Sequence, residues 1–169
     1  MDQNTDKKVE FIDKFKLFLI AQKIKIILIF FILVLFLIIF SIMKINLERE
    51  NILMSEKFIQ ANIYLASNDK EKSKEIYEEI IKSKNKFYSI LALNTILEKK
   101  LENNEEKIIN YFNILQDLSI PSEQKDLLIL KKALYLMQIS KIEEGKNLLK
   151  KLSNSDSYLK KISDQILEK

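Results

Sequence analysis

Hydrophobic and polar positions divide the chain into two regimes. From Ile26 to Met43, IILIFFILVLFLIIFSIM, no charge, Gly or Pro interrupts the run. Beyond Lys44, apolar residues return every three or four positions among charged ones, the signature of amphipathic helices. A helix over 26–43 reaches roughly 27 Å, close to the ~30 Å hydrocarbon core of a bilayer. Each central Leu, Ile, Phe or Val favours lipid by about 0.3 to 0.6 kcal/mol, so the stretch as a whole favours insertion. Lys23 and Lys25 precede it and Lys44 follows it, where long stems lift ammonium groups to the interface. The core helix of a soluble protein usually keeps one polar side, and this stretch has none.

The run is longer than the about 7–15 apolar residues of a cleaved leader, and Lys44-Ile45-Asn46-Leu47 offers no small-x-small cleavage site. It reads as an uncleaved signal anchor. Lys7, Lys8, Lys14, Lys16, Lys23 and Lys25 lie before it, whereas only Lys44, Arg49 and Lys57 follow closely. Basic residues stay inside, so the N-terminus is expected in the cytoplasm. The C-terminal domain is then expected in the periplasm, anchored to a bacterial inner membrane by one pass. Phe11, Ile12, Phe15, Phe18 and Leu19 mark one face of a short helix that either lies on the cytoplasmic leaflet or extends the span. The expected segments are 1–25, basic and amphipathic; 26–43, transmembrane; and 48–169, a helical domain.

Within that domain the periodicity predicts helices over about 48–66, 70–84, 86–101, 104–118, 123–139 and 140–153, and from 156 to the end. Asn68 with Glu71, Asn103 with Glu106, and Ser140 with Glu143 have capping-box spacing. Pro121 stops one helix and Ser122 is placed to cap the next. One Gly and one Pro leave little material for sheet turns, and no stretch alternates with period two. No strand is expected. The helices also repeat in pairs. Ala61 and Ser73, like Ala133 and Gly145, are small residues twelve apart, with Tyr77 or Leu149 four further on. Small residues let two helices approach, and the bulky one fills the space above. Phe112 takes the corresponding place in a middle pair, with Ile96 and Ile108 where small residues are expected and Ala92 one turn earlier. Repeats of about 34 residues with this layout are tetratricopeptide-like. The expected fold class is therefore all-α: one transmembrane helix, then a tetratricopeptide-like α-solenoid of about three hairpins, closed by a C-terminal helix.

The order of these parts resembles a known family. The pre-span Val9-Glu10-Phe11-Ile12-Asp13-Lys14, the span, Ala61 with Tyr64, and the Ala133–Gly145 hairpin with Leu148, Leu149 and Leu152 carry the likeness. The whole chain resembles the YfgM-like ancillary subunits of the bacterial protein-export translocon. The resemblance implies a non-catalytic periplasmic scaffold beside the export channel. Its implied partners are translocon subunits, a membrane-anchored chaperone of the prolyl-isomerase type, and unfolded clients.

Composition narrows the chemistry. With no His and no Cys, the usual metal cages, Ser-His relays and thiolate nucleophiles are impossible. No Gly-rich loop cradles a phosphate. No catalytic residue, cofactor or metal is expected, and the chain does not read as an enzyme. The net charge of +4 sits mostly in the first 44 residues, which fits anionic lipid rather than nucleic acid. Glu78-Glu79, Glu105-Glu106 and Glu143-Glu144 lie in Lys-rich stretches and read as solvated faces.

A binding groove is expected on the first helix of each hairpin. Phe58, Asn62 and Leu65 mark it in the first hairpin; Leu127, Leu130, Leu134, Met137 and Gln138 mark it in the last. Such a groove suits a partner helix or an unfolded apolar segment. The alternative is that these leucines pack against Tyr158, Leu159, Ile162 and Ile166 of the last helix. Two functions follow: a membrane-anchored scaffold for protein export, or a structural subunit of another inner-membrane complex held mainly through its span.

Overall fold

The computed structural model describes residues 22–168. The segment with Phe11 to Leu19 lies outside the described residues. Seven helices and no strand occur among those described: α1 (Lys23–Ala66), α2 (Lys70–Lys82), α3 (Tyr88–Lys99), α4 (Glu105–Gln116), α5 (Ser122–Gln138), α6 (Ile142–Ser153) and α7 (Lys160–Leu167). Contacts divide the chain into two compact units between Arg49 and Glu50.

The first unit holds the apolar stretch. From Ile27 to Met43 nearly every side chain is exposed, Phe36 at 67 % and Met43 at 65 %. α1 is long and apolar enough to cross a membrane. A fresh helix start near residue 48 is expected from the change of pattern, but the helix runs on unbroken. Lys44 to Asn51 contains no Gly or Pro, and nothing in it breaks a helix.

In the second unit, consecutive helices pack against one another. Met54, Phe58, Ala61 and Leu65 form the inward stripe of α1, at 3.6-residue spacing. They join Tyr77, Ile80, Ile81, Ala92, Leu93, Ile96, Ile108, Phe112 and Leu115 in one core cluster. A second cluster gathers Leu130, Ala133, Leu149, Leu152 and Leu159 from α5, α6 and the approach to α7. The α5–α6 contact is close: a Cβ added to Gly145 would meet the Ala133 carbonyl oxygen at 2.7 Å and Met137 Cγ at 2.5 Å.

One turn recurs. At the ends of α1, α3 and α5 the residues Asn68, Lys100 and Ser140 adopt left-handed backbone, with φ of 61°, 51° and 66°. In each, the next N–H reaches back five residues: Asp69 to Tyr64, Leu101 to Ile96, and Lys141 to Leu136. The left-handed residue's own N–H bonds three back, to Leu65, Leu97 and Met137. This is the Schellman arrangement, built here without glycine. It overturns two expected caps. Asn68 and Ser140 close helices rather than open them, and Asp69 is the N-cap of α2, accepting from the Lys72 N–H. Likewise Asn104, not Asn103, caps α4 through the Lys107 N–H. Ser122 makes no cap bond, since Pro121 holds the N-cap position. α7 begins at Lys160 rather than 156, because Ser157 Oγ accepts from Leu159 N–H and holds a turn there.

Counting from these turns aligns the pairs. Ala61, Leu93 and Ala133 each lie seven residues before the left-handed position, and all are buried. Ser73, Ile108 and Gly145 each lie four after the N-cap; Tyr77, Phe112 and Leu149 lie eight after. Leu93, rather than Ile96, thus lies at the distance from its turn that Ala61 and Ala133 keep from theirs. The turn from Lys100 to Asn104 is three residues longer than the other two, which shifts the apparent spacing.

Candidate functional site

The residues expected to share one groove are distributed over three surroundings. Leu130 is buried in the second core cluster with Leu159, and Met137 packs beside it over Gly145. These two pack within the structure, in the manner of the alternative reading. Leu127 and Leu134 remain exposed, at 40 % and 44 %. Phe58 and Leu65 are half-buried against the first core cluster. Phe58 stacks at a tilt on Tyr77 and Tyr88, with ring centroids 5.5 and 5.9 Å away. Asn62 lies at the surface, where its Oδ1 accepts from the Tyr77 hydroxyl at 2.8 Å and its Nδ2 donates to the Phe58 carbonyl at 2.9 Å.

Two clefts lie where α3 and α5 come together. The larger, about 420 Å³, is lined by Leu134 and Gln138 of α5, by the end of α3 and by the turn that carries Glu102. The smaller, about 150 Å³, is lined by Phe87, Ile90 and Leu91 of the α3 region and by Gln124, Leu127 and Leu128 of α5, with Lys86 and Lys131 beside them. Lys131 borders both. The clefts are the places where the expected groove residues Leu127, Leu134 and Gln138 meet open space.

Lys131 and its neighbour Lys132 are the functional candidates that periodicity does not reveal. Their doublet interrupts the apolar run Leu127–Leu136, which is the one signal the sequence offers. Lys131 Nζ donates to Asn94 Oδ1 at 2.7 Å, across from α5 to α3. Lys132 Nζ donates to Asn113 Oδ1 at 2.6 Å and to Gln116 Oε1 at 3.0 Å. Burial pushes both ammonium groups below the ordinary lysine range. Their bonds are to neutral amides, and neither takes part in an ion pair among the described residues.

The carboxylates act locally. Burial alone would raise the Glu102 pKa. The Asn104 N–H, the Lys107 ammonium and the Asn103 N–H together outweigh it, so the group sits below the usual glutamate value. Glu78 lies 3.6 Å from Lys82 and 3.8 Å from Lys107, and Glu79 pairs with Lys57 at 2.7 Å. Burial, and then the nearby Glu78, push the Tyr111 phenol up. No cluster of three His, Cys, Asp or Glu able to hold a metal occurs among the described residues.

Compared with family models, curated proteins and solved structures, the chain matches none. The fold and these clefts define an all-helical protein with one helix long and apolar enough to span a membrane.

Proposed function

We propose that the chain is a membrane-anchored scaffold whose helical domain is a short tetratricopeptide-like stack of three hairpins, α1–α2, α3–α4 and α5–α6, capped by α7. It binds protein partners at the protein-export translocon on the periplasmic side and assists chaperones with emerging chains, as its resemblance to YfgM-like subunits implies. The observation that carries the reading is the recurring Schellman turn at Asn68, Lys100 and Ser140, with buried residues at matching distances on either side. Schellman turns close many helices, so the weight lies in their placement: among the described helices they end α1, α3 and α5, each with buried residues at the same offsets on both sides, as a repeated hairpin requires. Terminal elements that cap a stack also account for α7 covering the second core cluster.

Two measurements test this. Protease added outside spheroplasts should remove the domain after Lys44, and survival of that domain would place it in the cytosol. Affinity purification of the full chain from detergent-solubilised membranes should recover channel and chaperone subunits.

A second reading is a structural subunit of another inner-membrane complex, held mainly through its span. It is favoured by residues 27–43, where nearly every apolar side chain is exposed and free to meet a partner's helix. Recovery of another complex's subunits, lost when residues 26–43 are exchanged for an unrelated span, would support that reading instead.

A further inference from the structure

The smaller cleft between α3 and α5 has a composition that specifies an occupant. Its wall is Phe87, Ile90, Leu91, Leu127 and Leu128, and Phe87 is 61 % exposed. Its charged members are Lys86 and Lys131, and no carboxylate lines it. Neither lysine takes part in an ion pair among the described residues. Lys131 is held in place by Asn94 at 2.7 Å, a neutral acceptor that fixes the ammonium without cancelling its charge. The larger cleft differs: Lys100 and Lys131 are accompanied there by Glu102 and Glu105. The charge asymmetry is therefore confined to the smaller one.

Size narrows the ligand further. A volume of about 150 Å³ lies well below the ~300–1,000 Å³ of small-molecule sites. Apolar cavities of that order hold a group of about the size of benzene. One ring or one branched side chain fits, with its backbone outside. We propose that the α3–α5 cleft is a docking site for a peptide segment that inserts one large apolar side chain and sets neighbouring carboxylates against Lys86 and Lys131. The proposal rests on the reading of the domain as a protein-binding scaffold and names the chemistry of its partner. Lys131 would exchange part of its bond to Asn94 for a carboxylate, a charge-assisted and stronger partner. The apolar wall would supply affinity, and the lysines would set orientation and discriminate against basic segments.

The test is fluorescence anisotropy with the full chain in detergent micelles. The probe is fluorescein-labelled Ser-Asp-Leu-Phe-Asp-Ser with both ends blocked. Saturable binding is expected. Replacing both Asp by Asn, or Leu and Phe by Ser, should each weaken it at least tenfold, and salt should weaken only the Asp-bearing probe. Lys131→Met and Leu127→Ser should each cost at least fivefold, Lys131→Arg should restore most of the loss, and Leu134→Ser in the other cleft should change little. Lys86→Glu, at an exposed position that leaves the fold intact, should turn preference toward a Lys-bearing version of the probe. Equal binding of the Asp and Asn probes, or no response to Lys131→Met and Lys86→Glu, would overturn the proposal. No binding of the probe while the chain still captures its membrane partners would sink the cleft assignment and leave the scaffold reading standing. Probe binding with no captured partner would do the reverse.

Discussion

Gly145 faces the carbonyl oxygen of Ala133 so closely that a Cβ there would come within 2.7 Å of it. Two principles then make opposite predictions for Gly145→Ala. Helix propensity favours Ala by roughly 0.8–1 kcal/mol. Contact with a backbone atom that cannot swing aside costs about 1–3 kcal/mol as overpacking. The clash is with backbone, so Gly145→Ala should destabilise, and Gly145→Leu should cost more. Urea or thermal unfolding of the full chain in micelles reads the difference. A stabilised Ala variant would mean that α5 and α6 lie further apart.

The small residues Ala61, Ser73, Ala133 and Gly145 were legible in the sequence by their spacing, and all four are buried where helices come close. The caps were less so. Asn68 next to Asp69, and Asn103 next to Asn104, offer two good capping side chains in succession, and Asn also tolerates left-handed backbone. Asn68 closes α1 and Asp69 opens α2, whereas Asn103 lies within the turn after Lys100 and Asn104 opens α4; where the preceding helix runs out decides which side chain caps. Spacing alone led to Ile96 rather than Leu93 in the middle pair, because the longer turn between Lys100 and Asn104 moves the register and a turn length is not visible in spacing. The clefts were hidden because periodicity cannot tell which leucines of one apolar helix face a neighbouring element covers. Leu130 and Leu127 are both apolar and three residues apart, yet only Leu130 is buried.

Tyr77 and Asn62 form a small polar link between α1 and α2 at 2.8 Å. The Tyr77 ring is fully buried, so Tyr77→Phe keeps the packing and removes only the hydroxyl. The expected cost is about 0.5–1.5 kcal/mol. Asn62→Ala should cost a similar amount, and the double variant less than the sum, because either change breaks the same bond. Full additivity in a double-mutant cycle would show that the two side chains do not meet.

Glu102 should give stability a dependence on acid. Its carboxyl titrates below the ordinary value because, against the opposing effect of burial, two backbone N–H groups and Lys107 bind the ionised form. For a carboxyl with a lowered folded pKa, the stabilisation is fully present above the unfolded value near 4.5 and is lost as pH falls through the folded value. Glu102→Gln keeps the shape and removes the charge. It should lower stability by roughly 1 kcal/mol at neutral pH. The gap from the parent chain should close on acidification below that unfolded value. Parallel melting curves of the two proteins from pH 7 to pH 3 test this, and a constant gap would show that the charge of Glu102 is not what stabilises the turn.

Lys84 provides the last test, at a strained position outside the three Schellman turns. It follows α2, its φ is 61°, and its side chain is exposed. A left-handed L-residue costs roughly 1–2 kcal/mol. Glycine removes that strain but loses about 0.4–1 kcal/mol through a freer unfolded chain. Lys84→Gly should therefore raise stability by roughly half a kcal/mol to one. Lys82→Gly, two residues earlier and still helical, has no strain to relieve and should lower it by about 1 kcal/mol. Lys82 also pairs with Glu78 at 3.6 Å, so Lys82→Ala, which removes the same charge without the glycine penalty, separates the lost ion pair from the backbone effect. If both variants were destabilised alike, the left-handed turn between α2 and α3 would not exist in solution.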